Sequence, residues 1–260
     1  MGVNIGASTS NFYPQPTEDA LDSVLSAGFR TVEVFFNAAS ELSPSFVGEL
    51  RRRMEAVGAS AAAVHPHSSF MEPHFLFSVY ERRAEDMLED YKRLFHAAAM
   101  LGAPYLVLHG DREHGPLSVE QSLERYERLY DVGTTFGVRV AQENVVRYRS
   151  ADLAYLRAMR EALGNKAAFV LDVKQCVRCH LPIESVAQAM GDAIVHVHVS
   201  DHNDTHDCLP PGMGAFDYAR LFSLLHKRQY DGALMLELYR SGFEDKRDLQ
   251  RAADFLKTFL

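Results

Sequence analysis

IVHVHVSD, residues 194–201, is a β-branched apolar run that carries His196 and His198 and closes on Asp201, and six other segments share its form. They are TVEVFF (31–36, with Glu33), AAAVHPH (61–67, with His65), YLVLHG (105–110, with His109), VRVAQENV (138–145, with Glu143), AFVLDV (168–173, with Asp172) and ALMLELY (233–239, with Glu237). Continuous apolar runs mark parallel strands buried on both faces, and in a closed βα barrel the C-terminal strand ends converge on one mouth. Acids and imidazoles far apart in the chain would then meet in space. With a first strand at 3–8, the pattern predicts the α/β class, a single (β/α)8 TIM barrel occupying 1–260 as one domain.

The intervening segments agree. Amphipathic stretches end in glycine just before an apolar run, at Gly28, Gly58, Gly102, Gly137, Gly164, Gly191 and Gly232. Helices are expected over 17–27, 43–57, 77–101, 118–136, 150–163, 182–190, 217–229 and 245–259. Thr17 is the expected cap of the first, Pro44 occupies the first turn of the second, and Ser118 with Gln121 forms a capping box. Two connections exceed what a turn needs: PHSSFMEPHFLF (66–77), whose Phe70, Met71, Phe75 and Phe77 could close over a ligand or a neighbouring subunit, and SDHNDTHDCLPPGMGAF (200–216). Both fall on the mouth side, where loops carry function.

With 260 residues, 47% hydrophobic and 24% charged, the chain has the make-up of a globular protein of one barrel's size. A net charge of -8 argues against general attraction to nucleic acid and favours small-molecule chemistry. No secretory leader or membrane-length apolar run is evident, so the cytoplasm is the expected compartment, with no membrane partner. Cys176, Cys179 and Cys208 are too few for a disulfide framework. Cys176–His180 matches the CxxCH haem spacing, but it sits between a strand and a helix of a regular repeat, which argues against haem.

Glu143, Asp172, His198 and Glu237 come from the ends of the last four strands. Carboxylates with one imidazole make an oxygen-rich site suited to one divalent metal ion, Mn²⁺ or Mg²⁺ first, with Zn²⁺ or Co²⁺ fitting through the histidine. AQEN, VLDV, HVHVSD, PPGMGAFD and LEL, in this order, resemble the xylose isomerase-like TIM barrel superfamily, and within it the sugar phosphate isomerase/epimerase group, over essentially the whole chain. The resemblance implies that Glu143, Asp172, His198 and Glu237 bind one cation and that Glu143 and Glu237 are catalytic, exchanging a proton with the substrate carbon. A metal that chelates a carbonyl and its adjacent hydroxyl stabilises the enediolate, which makes isomerisation or epimerisation of a sugar or sugar phosphate feasible. A dehydratase of cyclic polyols or keto acids would use the same site. A homo-oligomer is also implied.

The chain is similar, more distantly, to endonuclease IV, a metal-dependent phosphodiesterase whose extra zinc ions are held by histidines at the places of His65 and His109. The further ligands of that enzyme fall here on Gln175, His206 and Cys208, which degrades a trinuclear hydrolytic site. A non-catalytic sugar-binding barrel is a third reading, because fold alone does not fix function. Substrate contacts are expected from His65, His109, Lys174, Gln175 and Arg240. His67 could replace His65, and His196 could replace His198, by strand alternation. Lys174 is expected to face inward because Asp172 does. Glu33 is read as a structural partner of a neighbouring cation.

Overall fold

The computed structural model describes residues 2–260 and forms a closed barrel of eight parallel strands, each bonded to its neighbours in sequence. The strands are β1 (Asn4–Ser8), β2 (Thr31–Phe35), β3 (Ser60–His65), β4 (Tyr105–Leu108), β5 (Arg139–Glu143), β6 (Phe169–Asp172), β7 (Ile194–Val199) and β8 (Ala233–Leu236). The helices are α1 (Thr17–Ser26), α2 (Pro44–Glu55), α3 (Glu81–Leu101), α4 (Val119–Thr134), α5 (Leu153–Leu163), α6 (Val173–Arg178), α7 (Ile183–Met190), α8 (Tyr218–Lys227) and α9 (Lys246–Lys257). All eight expected helices are present. The helix expected from 77 starts at Glu81 and the one expected from 150 starts at Leu153, each after a stretch of turns or short 3-10 helix.

Two local readings change. Thr17 does not cap α1; Pro16 holds that place, and the Thr17 hydroxyl instead donates to Glu41 Oε2 at 2.9 Å, tying the helix to the loop after β2. The short helix α6 directly after β6 was not expected, and Asp172 caps it by accepting from the Gln175 backbone at 2.9 Å. The Ser118–Gln121 box forms as read, with reciprocal bonds of 3.2 and 2.9 Å. Gly102 ends α3 in the left-handed region (φ 73°), where a Cβ would be strained.

Side chains alternate along every strand, so each strand serves two cores. Val34, Leu106, Val140, Leu171, Val197 and Leu236 point outward into the layer shared with the helices. Ala63, Val107, Ala141 and Val170 fill the narrow barrel centre. The same inward phase, two residues further along, delivers His65, His109, Glu143 and Asp172 to the mouth. Of the mouth-loop aromatics, Phe77 is buried in the core, whereas Phe70 is 71% exposed at the rim. No helix among the described residues is long and apolar enough to cross a membrane.

Candidate metal centre and mouth cavity

Strand pairing sets the level of the acidic cluster. Asp172 and His198 are register partners on β6 and β7, and Glu237 follows β8, its N–H donating to the Val199 carbonyl at 3.4 Å. Glu143 ends β5, and the next residue, Asn144, extends the ladder with its side chain: it accepts from Asp172 N at 2.8 Å and donates to Asp172 O at 3.1 Å. That clamp holds two carboxylate-bearing strand ends together where backbone pairing stops.

His198 Nδ1 stands 3.5 Å from Glu143 Oε1, 3.5 Å from Asp172 Oδ2 and 3.4 Å from Glu237 Oε2. One donor atom from each of the four residues lies within 4.8 Å of the others. Asp172 Oδ2 and His198 Nδ1 are buried without a hydrogen-bond partner among the described residues. Three carboxylates gathered out of water repel one another, and a cation among them would relieve that repulsion. Three carboxylate oxygens and one imidazole nitrogen fit a divalent ion of the Mn²⁺ or Mg²⁺ kind, and Zn²⁺ or Co²⁺ through the nitrogen.

The electrostatics carry the same signature. Burial alone would lower the His198 pKa, but Glu237, Glu33, Asp172 and Glu143 outweigh it and raise it well above the usual value. Burial raises the Asp172 carboxyl to about 6, with Lys174 and His198 opposing and Glu143 and Glu237 adding. Glu143 is held low despite burial by His109 and His198.

Lys174 reaches this cluster, but not as strand alternation suggested. β6 ends at Asp172, and the first turn of α6 swings Lys174 Nζ to 2.8 Å from Glu237 Oε2 and 3.7 Å from Asp172 Oδ2. Gln175 is buried at the mouth, where its Oε1 accepts from Val146 N at 3.2 Å. His65 and His109 meet with their Nε2 atoms 3.1 Å apart, and His109 Nε2 is 3.1 Å from Glu143 Oε2, so these three form a second convergent group. Burial and then His109 push His65 down to about 4, while Glu143 overcomes burial to raise His109. His67 lines the cavity but joins neither group.

Arg240 is turned away from the site. It is exposed, its guanidinium donates to the Phe243 and Glu244 carbonyls at 2.7 and 3.0 Å, and it does not line the cavity. A three-residue spacing from Glu237 would keep two side chains together on a helix, but the chain leaves β8 without helical structure and a 3-10 turn begins only at Arg240. In the loop after β7, Asp207 pairs with Arg178 at 2.6 Å, and Asp201 accepts from the N–H groups of His202, Gly212 and Phe216. Cys176 is buried on α6 beneath Asn144, a position closed to haem attachment.

A cavity of about 410 Å³ opens over the cluster. Glu143 and Glu237 line it, whereas Asp172 and His198 lie below its floor. Tyr13, Phe35, Phe70, Tyr148 and Tyr239 supply aromatic walls. The sequence reading missed Asn144 and Glu72. Glu72 lies fully buried in the loop after β3, accepting from Tyr91 Oη at 2.5 Å and Gly110 N at 2.6 Å. The one signal for Asn144 was its place beside Glu143 in AQEN; a polar residue in a long loop gave none for Glu72.

Comparison with known proteins places the chain. A family model described as xylose isomerase-like TIM barrel matches residues 21–259. An uncharacterized protein of Mycobacterium tuberculosis is 24% identical over 289 aligned positions, covering 99% of this chain and 98% of that one. Among solved structures, a D-tagatose 3-epimerase-like protein superposes with a TM-score of 0.82 at 17% identity, covering 99% of this chain and 97% of its own. The crystal structure of D-psicose 3-epimerase in the presence of D-fructose gives 0.82 at 16%, covering 99% of both chains. At such identities the likeness establishes the fold.

Proposed function

Since the chain belongs to the xylose isomerase-like TIM barrel family, we propose that it is a divalent-metal-dependent sugar isomerase or epimerase, one domain over 1–260. The observation that carries this reading is the convergence on His198 Nδ1 of the buried Glu143 and Asp172 carboxylates and the half-buried Glu237 carboxylate, beneath a sugar-sized mouth. Glu143, Asp172, His198 and Glu237 would hold one cation. When bound, the cation would polarise a substrate carbonyl and its neighbouring hydroxyl and so lower the cost of an enediolate. Glu143 and Glu237, which face the cavity, remove a proton from the carbon beside the carbonyl and return it. Return to the same carbon from the other face gives an epimer; return to the next carbon gives an isomer. Lys174 keeps Glu237 ionised and balances the acidic floor. His65, His109 and Gln175 offer hydrogen bonds to substrate hydroxyls.

The substrate is best read as an unphosphorylated sugar. Among the described residues lining the cavity, Lys174 is the one lysine or arginine, and Glu237 and Asp172 already engage it. A phosphate would enter a mouth with no free cation, against aromatic walls suited to the C–H faces of a sugar ring.

A second reading rests on His65, His109 and Glu143, whose donor atoms also lie within 4.8 Å of one another. A second cation there, sharing Glu143, would suit phosphodiester hydrolysis. Counting metal ions per chain after reconstitution with Mn²⁺ or Zn²⁺, followed by solvent-deuterium exchange into a panel of ketoses, separates the two. One ion with exchange at the carbon beside the carbonyl is expected; two ions without exchange would move the hydrolase reading to first place.

A further inference from the structure

We infer that Glu33 and His196 form a positioning pair that fixes the tautomer and direction of His198 for metal binding. The inference rests on the proposed metal site and assigns residues beyond its four ligands. Glu33 Oε2 is 3.0 Å from His198 Nε2 and 3.1 Å from His196 Nε2. All three side chains are at most 1% exposed, so water does not compete for these contacts.

An ionised carboxylate only accepts hydrogen bonds. Both imidazoles must therefore present N–H at Nε2, so a neutral His198 turns its Nδ1 lone pair toward Glu143, Asp172 and Glu237. Without Glu33, the proton of a neutral His198 would move to Nδ1, where three carboxylates attract it, and the lone pair would point away from the cation site. His196 contributes by holding the same carboxylate oxygen in place. The two rings stand at 86° with centroids 5.1 Å apart and meet the same oxygen through their Nε2 atoms.

The backbone is shaped for this contact. Phe169 pairs with Ile194 but Val170 pairs with His196, so β7 carries one extra residue, Val195, immediately before the pair of histidines. Val32 pairs with Ala61 but Glu33 pairs with Ala63, so β3 carries an extra residue, Ala62, beside Glu33. Bulges re-aim side chains, and these two flank the residues that meet across the barrel.

The test uses Glu33→Leu, which removes the acceptor, and Glu33→Gln, which keeps a carbonyl oxygen there without the charge. Zn²⁺ and Mn²⁺ affinities are measured by calorimetry on the metal-free protein, and the His198 tautomer by ¹⁵N NMR of the Zn²⁺-loaded wild type. Glu33→Leu is expected to bind about 10- to 100-fold more weakly, as loss of a histidine's outer partner typically does, with Glu33→Gln in between. The wild type is expected to show His198 protonated at Nε2 and coordinated through Nδ1. Wild-type affinity in Glu33→Leu would overturn the pairing while leaving the site intact, whereas a wild type that binds no metal would overturn the site as well. Should Glu33→Leu fail to fold, the tautomer decides alone: coordination through Nε2 ends the proposal.

Discussion

At the scale of the residue, Glu143 has two separate tasks, because one oxygen faces His198 and the other faces His109. Glu143→Gln keeps an oxygen for the cation but cannot take up a proton. It should retain weakened metal binding and lose about 10²- to 10⁴-fold in kcat, the usual worth of a general base, read by steady-state assay beside metal content. Full activity would sink the proposed proton transfer. Lys174 acts on the other glutamate: burial would raise the Glu237 carboxyl, but Lys174 and His198 outweigh it and hold it below the usual range. Removing the ammonium in Lys174→Met should therefore raise the Glu237 pKa. The acid limb of the kcat/KM profile then moves to higher pH, and an unmoved limb would show that Glu237 does not set it.

At the scale of the element, the long connection between β3 and α3 is secured by one buried carboxyl. Glu72 bonds to Tyr91 on α3 and to the Gly110 N–H just past β4, so it pins the mouth loop from beneath. Burial raises this carboxyl to about 7 from 4.5, with His109, Tyr91 and the backbone N–H groups of Gly110 and His109 opposing. The folded state holds a proton that the unfolded chain releases. Stability from this group is thus full below pH 4.5 and lost as pH rises through 7, at most about 3 kcal/mol. Glu72→Gln, whose amide can serve both partners, should flatten that decline and be the more stable protein above pH 7 in urea unfolding. A wild type and variant that run parallel across this range would refute it. The same scale explains α6: Asp172 spends one oxygen on its cap and leaves the other for the cluster.

At the scale of the whole molecule, a cation that binds the folded barrel and not the unfolded chain stabilises it. At a hundred times its Kd the gain is about 2.7 kcal/mol, which for a chain of this size is roughly 5 to 10 °C in Tm. Chelation should lower the Tm by that order, and readdition of Mn²⁺ should restore it; loss of bound metal with no change in Tm would count against a cation at the barrel mouth. The sequence by itself determined the barrel, because both-face burial forces apolar runs and a repeat of strand and helix admits few closures. It also singled out Glu143, Asp172, His198 and Glu237, since each sits at a strand end where the period-two alternation can be counted. Tertiary structure alone decided the rest. Lys174 arrives by a helical turn that no strand period describes, Arg240 leaves by a turn that its spacing does not reveal, and Glu33 meets His196 and His198 across the barrel. Local periodicity reports which way a side chain points from its own strand; which groups it faces is set by register, bulges and closure, which join residues more than 160 positions apart.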